Sequence, residues 1–196
     1  MDAARERLSA LDRFVAETGN TRIRPIRPAD AEVLFGEVHE RPAVTKWLCW
    51  EGPADPAEMS DRYQSWRRGL PSEPVLIFAI EDAKAGAAIG ELTLRFDGHP
   101  GVGDLGYWLG EEQHGKGHGS AALSLAAQFA FEQLDARVLT ASVKEGNLAS
   151  IAILEGAGFR LDPAPGRALK PGLDRGTSIA WYASLTRRSW ARIQAG

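Results

Sequence analysis

Cysteine is nearly absent from this chain, which carries one, Cys49, among its 196 residues. A disulfide within the chain is therefore excluded, and a cysteine-bound zinc cluster is not expected. Long apolar runs are absent too, because no stretch approaches the roughly 20 residues of a transmembrane helix. Charged residues are spread over residues 1–20, which lack the apolar centre of a signal peptide. These absences predict a cytoplasmic protein with neither a metal site nor a membrane partner.

A strong excess of charge of either sign is also missing. The formal net charge is -3, so no global field favours nucleic acid as a partner. The hydrophobic fraction of 44% and the length suit one globular domain with a sizeable core, which we expect over residues 19–196. Residues 1–18 predict a helical extension that packs on its own subunit or in a homodimer. Its apolar residues at helical spacing are Leu8, Leu11, Phe14 and Val15.

The most informative stretch runs from Asp104 to Leu134. A strand-like run, Leu105–Leu109, leads through a short polar link into a glycine-rich turn at residues 114–119, HGKGHG. A helical run, Ser120–Leu134, follows at once. A strand, a glycine turn and a helix in this order offer free backbone N–H groups and a helix N-terminus to a phosphate group.

Three kinds of phosphate site compete for this turn. A P-loop, G-x-x-x-x-G-K-S/T, is matched from Gly110 to Lys116 but fails at Gly117, which has no hydroxyl for magnesium. A dinucleotide fingerprint fails because the glycines give G-x-G-x-G and because the strand comes late in the chain. A coenzyme A pyrophosphate loop needs a strand, a tight glycine turn and a helix directly after it. All three are present in that order.

Apolar patterning predicts a mixed sheet around this stretch. Three strands with short polar connections, Val75–Glu81, Ala88–Phe96 and Gly103–Leu109, indicate an antiparallel meander. The strand Val138–Val143 follows the helix, which predicts a right-handed crossover and a parallel pair. The other expected elements are strands at Thr21–Arg27, Phe159–Leu161 and Ser178–Leu185, helices at Pro28–Val38, Asp55–Gly69 and Asn147–Glu155, a loop at Arg41–Pro53 and a basic tail after Leu185.

Two ordered motifs resemble those of the GNAT superfamily of N-acetyltransferases, and most of all the RimJ/RimL type of protein N-terminal acetyltransferase. The first motif, Q/R-x-x-G-x-G/A, falls on residues 114–119, with His114 in the Gln/Arg place and Gln113 one residue early as the other candidate. The second motif, N-x-x-S-x-x-x-x-E-x-x-G-F, is matched by Asn147, Ser150, Glu155, Gly158 and Phe159. The resemblance covers nearly the whole chain.

The resemblance implies an α/β (α+β) GNAT fold, whose central, mixed and mostly antiparallel sheet is flanked by helices on both faces. It also implies acetyl-CoA as the cofactor. The backbone of Trp108 and Leu109 is expected to pair with the pantetheine arm, while the side chain of Trp108 packs in the core. Asn147 is expected both to cap its helix and to reach the pantetheine. The remaining expected cofactor contacts are His114, Gly115, Lys116, Gly117, His118, Gly119 and Ser120.

Acetyl transfer to an amine needs a polarised carbonyl, a neutral amine and a proton for the leaving thiolate. In the RimJ/RimL branch the serine that matches Ser150 is a candidate proton donor, whereas other GNAT enzymes use a tyrosine where this chain has Leu154. Ser142 stands at one position where some GNAT enzymes carry a glutamate base. Glu91, in the middle of a strand, is therefore the leading candidate for the base. The alternatives are Asp104, Asp174 and an ordered water.

The acceptor is expected to be a primary amine: a protein N-terminus, a free amino acid or a small amine. Trp47 and Trp50 lie in the loop that lines the acceptor cleft of the family, and with Tyr107 they are the expected substrate-binding residues. Further candidates for the wall of the cleft are Glu51, Arg95, Lys144 and Tyr182. The expected function is direct acetyl transfer in a ternary complex. Alternatives are a catalytically inactive acyl-CoA-binding module, since the usual glutamates are missing, and a nucleotide hydrolase.

Overall fold

The computed structural model describes residues 14–48, 52–69, 75–96, 99–164 and 179–195. These residues form eight strands and six helices. The first half contains β1 Ala16–Thr18, β2 Thr21–Pro25, α1 Ala31–Val38, α2 Pro42–Thr45, α3 Pro56–Gly69, β3 Val75–Asp82 and β4 Ala87–Arg95. The second half contains β5 Val102–Leu109, α4 His118–Gln133, β6 Val138–Lys144, α5 Leu148–Gly156, β7 Arg160–Pro163, β8 Ile179–Thr186 and α6 Arg187–Ala195.

The strands form one mixed sheet in the order β1-β2-β3-β4-β5-β6-β8-β7. Strands β5 and β6 pair in parallel, and the other neighbouring strands pair antiparallel. The predicted meander, crossover and mixed sheet are thereby confirmed. Because α4 connects β5 to β6, its N-terminus lies at the end of β5 where the chain leaves the sheet.

Two apolar cores cover the two faces of the sheet. The first core packs α4 and α5 on one face and is centred on fully buried side chains such as Leu92, Leu94 and Leu123. The second core packs α1 and α3 on the opposite face, around Leu34, Met59 and Tyr63. Full burial of each such side chain contributes about 1.5–3 kcal/mol. Strand alternation then separates neighbours on β5: Leu109 belongs to the first core and Trp108 to the second.

Helix α3 begins where its sequence predicts. The Asp55 side chain accepts a hydrogen bond from the backbone N–H of Glu58 at 2.8 Å, and the Glu58 carboxylate accepts one from the N–H of Ala54 at 2.6 Å. Pro56 occupies the first helical position, where its missing N–H costs nothing. This cap fixes the helix that carries Arg62 and Tyr63 toward the sheet.

Three elements differ from the sequence-based expectation. Ala16–Thr18 is a strand, so the predicted helical extension is wrong for these residues, and residues 1–13 lie outside the described part of the chain. Pro42–Thr45 is a short helix inside the predicted loop. The predicted basic tail is helix α6, because Trp190 packs on Phe131 and gives this arginine-rich segment an apolar side.

A buried ion network ties β2 to β3 and to the start of α1. The Arg24 guanidinium donates to both oxygens of Asp30 at 2.8 Å and to Oε2 of Glu81 at 2.6 Å. Arg22 donates to the other oxygen of Glu81 at 2.5 Å. The hydrogen bonds to Asp30 raise the pKa of Arg24 further above its usual range, so the guanidinium stays charged. The Asp30 carboxylate also accepts the backbone N–H of Arg27 at 2.8 Å, which shapes the turn into α1.

Candidate active site

A gap opens in the middle of the sheet. Strands β5 and β6 pair over Val102–Asp104 and Val138–Thr140 alone, and Leu105–Leu109 continues without a partner on that side. A cavity of about 780 Å³ occupies the gap and extends to both faces of the sheet. Its lining includes Leu109 from β5 and Ser142 from β6. The parallel pair that sequence patterning predicted is therefore also the place where the sheet splits.

The glycine turn forms one end of this cavity. Gly115 and Gly117 have backbone φ angles of +73° and +85°, and a Cβ built on either one would meet no atom within 4 Å. Gly117 is the N-cap of the 16-residue helix α4 and offers no side chain to satisfy the first N–H groups of that helix. An open turn with a free helix N-terminus binds anions well, because the helix dipole and the N–H groups both favour negative charge.

Backbone groups of β5 point into the gap in an alternating order. The N–H of Gly110 donates to the carbonyl of Ile89 on the β4 side at 2.9 Å. Since hydrogen-bonded pairs alternate in an antiparallel ladder, Trp108 faces β4 with its backbone groups, whereas Tyr107 and Leu109 face the gap. Leu109 and Tyr107, rather than Trp108, thus offer main-chain donors and acceptors to an extended ligand.

The side chain of His114 makes a hydrogen bond to one of these backbone groups of β5. Its Nε2–H donates to the carbonyl of Leu109 at 3.1 Å. The imidazole therefore links the glycine turn to the edge of the gap, which gives a structural role to the residue that departs from the family motif.

A second group of polar side chains faces the gap from α5. Asn147 caps the helix, its Oδ1 accepting the N–H of Ser150 at 3.2 Å. The hydroxyl of Tyr107 donates to Oγ of Ser150 at 3.2 Å. Burial raises the pKa of the Tyr107 phenol. The two hydroxyls therefore meet at the wall of the cavity, on the face of the sheet that carries α4 and α5.

The opposite face of the gap carries a buried carboxylate. Glu91 is 3% exposed and pairs across the ladder with Trp108. Its Oε2 accepts from Nη2 of Arg62 at 2.5 Å and from the hydroxyl of Tyr63 at 2.8 Å. Burial and the neighbouring Glu91 raise the pKa of Tyr63 well above its usual range, so that hydroxyl remains a donor. Glu91 lies inside the molecule, and the alternative that this mid-strand charge merely faces solvent is wrong.

A strap closes the same face. We define the strap as residues 42–48, which comprise helix α2 and the turn after it. Lys144 at the end of β6 donates through Nζ to the carbonyl of Lys46 at 3.1 Å and to that of Leu48 at 2.5 Å. Trp47 lies on the strap, within the cavity lining. The ammonium group thus holds the strap across the gap.

Most of the predicted site residues come together in this one cavity. The exceptions are the side chains of Lys116 and His118, and Trp50, which lies outside the described residues along with Glu51 and Asp174. Lys116 donates to Gln113 in solvent, and the ring of His118 is buried against Thr21 at 2.9 Å. Those that line the cavity are Trp47, Glu91, Tyr107, Trp108, Leu109, His114, Gly115, Gly117, Gly119, Ser120, Asn147 and Ser150.

Two residues of this cavity differ from the sequence-based expectation. Tyr107, expected to bind the substrate, contacts Ser150. Arg62 was not predicted at all, and it faces the cavity beside Glu91. The sequence holds one indication that Arg62 lies near the sheet. Arg62 directly precedes Tyr63, which together with Met59 forms the apolar i, i+4 stripe of α3. Among the wall candidates, Arg95, Asp104 and Lys144 line the cavity, and Tyr182 does not.

Membrane-spanning helices and metal-binding clusters are both absent from the described ranges. No helix there is both long and apolar enough to cross a membrane. No group of three or more His, Cys, Asp or Glu side chains in those ranges is arranged to hold a metal ion.

Comparison with known proteins explains this combination of turn, gap and capped helix. Residues 20–160 match the family profile described as Acetyltransferase (GNAT) domain. The chain belongs to the GNAT acetyltransferase family. This GNAT domain is therefore an N-acetyltransferase that uses acetyl-CoA.

Solved structures of GNAT proteins share its fold. RimJ from Mycobacterium smegmatis, in complex with CoA-disulfide, has a TM-score of 0.74 and 23% identity over 89% of this chain and 88% of that one. A ribosomal-protein-S5-alanine acetyltransferase from Vibrio fischeri has a TM-score of 0.76 and 18% identity over 90% and 98%. A GCN5-related N-acetyltransferase from Brucella melitensis has a TM-score of 0.76 and 21% identity over 93% and 83%.

The strap gives a first testable prediction. Replacing Lys144 by methionine removes the ammonium that holds the carbonyls of Lys46 and Leu48. Hydrogen bonds to charged groups are worth about 1.5–3 kcal/mol, so we expect KM for the amine to rise about tenfold. The dissociation constant of acetyl-CoA should stay within about twofold, because the glycine turn is untouched.

The matched control for this prediction is Lys84→Met, in the exposed turn between β3 and β4. Steady-state kinetics with both substrates and calorimetric titration of acetyl-CoA distinguish the two variants. Equal amine KM values for Lys144→Met and the unmodified protein would show that the strap does not shape the acceptor site.

Proposed function

We propose that this GNAT enzyme transfers the acetyl group of acetyl-CoA directly to the α-amino group of a peptide, protein or amino acid. One observation carries the proposal: a single cavity joins the glycine turn, the Ser150 hydroxyl and the Glu91 carboxylate across the gap in the sheet. Both substrates can therefore meet without a covalent enzyme intermediate. A small primary amine is the other acceptor that this arrangement admits.

The cofactor half of the cavity fits coenzyme A. The open space at Gly115 and Gly117, together with the N-terminus of α4, suits a pyrophosphate. The gap-facing backbone of Tyr107 and Leu109 suits the amides of a pantetheine arm. The bound cofactor supplies an activated thioester, and the Ser150 hydroxyl, which lines the cavity, would donate a hydrogen bond to its sulfur.

The acceptor half favours an amine that loses its proton easily. Glu91 is the carboxylate proposed to take that proton, directly or through water, but its Oε2 already accepts from Arg62 and Tyr63. An α-amino group has a pKa of about 7.7–8.0 and a lysine side chain one of about 10.4, so a noticeable fraction of α-amine is neutral at pH 7. A site with a heavily engaged carboxylate is therefore better suited to an α-amine than to lysine.

The names of two structural relatives agree with this choice. One is RimJ, and the other is named as an acetyltransferase of alanine in ribosomal protein S5. We infer from the acceptor chemistry, supported by these names, that the RimJ/RimL type of reaction is the one this chain performs in the cytoplasm.

Glu91→Gln tests the assignment of the base. If Glu91 takes the proton of an α-amine, we expect kcat/KM to fall about tenfold at pH 7, because about a tenth of that amine is already neutral there. The difference in kcat/KM between Glu91→Gln and the unmodified protein should shrink as the pH rises through the amine pKa, since only the neutral amine attacks. A pH profile of kcat/KM for both proteins measures this. A difference that stays constant up to pH 9 would exclude Glu91 as the base.

The reaction itself is tested by release of free thiol from acetyl-CoA across a panel of amines. The panel should contain peptides with free N-termini, the same peptides with blocked N-termini and internal lysines, free amino acids and small amines. We expect turnover with free α-amines and little with lysine-only peptides. Glu91 already accepts hydrogen bonds from Arg62 and Tyr63, and this favours one alternative function, an acyl-CoA-binding module without activity. Tight acetyl-CoA binding with no turnover on any amine would establish that alternative.

A further inference from the structure

We propose that Tyr107 is a positioning residue that directs the Ser150 hydroxyl at the sulfur of the bound thioester. The inference rests on the proposed function and deepens it. It replaces the expectation that Tyr107 binds the acceptor. It also gives the site a phenol from strand β5, whereas Leu154 of helix α5 is buried in the first core.

The hydrogen bonds around Ser150 have a defined direction. The phenol of Tyr107 donates to Oγ of Ser150, and Asn147 holds the backbone N–H of the same residue. A serine hydroxyl has one proton to donate and two lone pairs that accept. Because Tyr107 occupies a lone pair, the Ser150 proton is free to point elsewhere, and Ser150 lines the cavity.

The packing around Tyr107 keeps its ring in this place. A Cβ built on Gly119, at the start of α4, would lie 3.8 Å from Cε2 of Tyr107, 3.6 Å from Leu109 and 2.9 Å from Ile153. The ring therefore sits between the N-terminus of α4 and helix α5, with the glycine making room for the close approach. The ring lines the cavity on one side and packs against both helices on the other, which favours the position in which its hydroxyl contacts Ser150.

The phenol donates without giving up its proton. Burial raises its pKa, so it remains a neutral donor over the working pH range of the enzyme. As the C–S bond breaks and the C–N bond forms, the amine proton leaves to Glu91 or to water. Ser150 donates a hydrogen bond to the developing thiolate, and Tyr107 keeps the serine oxygen in line. Protons and charges balance without any transfer from Tyr107.

The acidity of the thiol of bound coenzyme A tests this arrangement without any acceptor. The ultraviolet absorbance of the thiolate is followed against pH for the complex of free coenzyme A with each protein. We expect the unmodified protein to lower the apparent thiol pKa relative to coenzyme A in solution. Tyr107→Phe and Ser150→Ala should each lose most of that shift, and the double variant should lose no more than either one, because the two hydroxyls act as a unit.

Kinetics give a second readout. Tyr107→Phe should lower kcat about tenfold, because Ser150 then loses the group that directs its hydrogen bond at the developing charge. KM for acetyl-CoA should stay within about twofold. Ser124→Ala, an exposed helix serine on α4, is the matched control for Ser150→Ala. Should the phenylalanine variant fail to fold, a fluorinated tyrosine at position 107 replaces it. Its more acidic phenol should lower the thiol pKa further.

Two results overturn the inference. In the first, Tyr107→Phe keeps the lowered thiol pKa and the kcat of the unmodified protein, while Ser150→Ala loses both the pKa shift and the turnover. Tyr107 would then have a packing role alone. The other is an unchanged titration in both variants. Failure of the proposed function looks different: a protein that binds coenzyme A but acetylates no amine still yields the thiol titration and its dependence on Tyr107.

Discussion

Replacing Gly117 by aspartate is expected to raise the dissociation constant of coenzyme A by more than about 100-fold, or about 2.7 kcal/mol. Gly117 caps helix α4 with a φ of +85°, at the end of the cavity where the helix offers its free N–H groups. An aspartate there takes those donors with its own carboxylate. It also places a negative charge at the proposed pyrophosphate site, and two charges about 4 Å apart near a protein surface interact by about 4 kcal/mol.

The fold should survive this change. A side chain at a φ of +85° is strained, but aspartate tolerates the left-handed region better than most residues, so the loss of stability should be small. A Cβ at position 117 also meets no atom within 4 Å. The effect is therefore expected in the affinity rather than in the melting temperature.

Gly86→Asp is the matched control, because Gly86 also has a positive φ, +66°, and equally open surroundings, in the turn between β3 and β4. Calorimetric titration of coenzyme A measures both variants. We expect Gly86→Asp to bind like the unmodified protein. If the dissociation constant of coenzyme A for Gly117→Asp stayed within about threefold of that for the unmodified protein, the glycine turn would not be the pyrophosphate site.

Replacing Arg24 by leucine is expected to destabilise the protein by about 3–5 kcal/mol, the usual cost of removing one partner from a buried ion pair. Arg24 is 7% exposed, and its loss leaves the carboxylates of Asp30 and Glu81 without this guanidinium. Arg22 still contacts Glu81, which places the expected value nearer the lower limit. In a protein of this size the melting temperature should then fall by about 10 °C.

Arg160→Leu is the control for Arg24→Leu. Arg160 pairs with Asp162 at 2.8 Å, but the two side chains are 78% and 51% exposed. Exposed pairs contribute about 0–1 kcal/mol, so its melting temperature should change little. Thermal unfolding followed by circular dichroism measures both. A drop in Arg24→Leu no larger than in Arg160→Leu would mean that the network does not stabilise the junction of β2, β3 and α1.

Local sequence patterns were sufficient to predict much of the fold. Apolar runs between polar turns located β3, β4 and β5, and the Asp55-Pro56 cap located the start of α3. These signals depend on side chains a few residues apart, which a single sequence displays directly. Helix α6 was missed because its apolar stripe is short and becomes recognisable only when Trp190 meets Phe131.

The face of the cavity that carries Glu91 and the strap could not be predicted in the same way. The strap contacts Lys144 across 98 residues of sequence, and Glu91 meets Arg62 across 29. Such contacts have no local periodicity, since they arise when separate elements pack over the same face of the sheet. The pairing of Tyr107 with Ser150 has the same origin.

By itself the sequence determined that this chain has a mixed sheet with one parallel crossover, a glycine turn at the head of a long helix and an asparagine-capped helix after it. Those features are local, because a positive φ, a cap and an apolar stripe each need residues close in the chain. Tertiary structure alone decided which hydroxyl contacts Ser150, which cation pairs with Glu91 and which segment covers the Glu91 face of the cavity. The physical reason is that side-chain direction at the gap follows from strand register, which only the paired sheet defines.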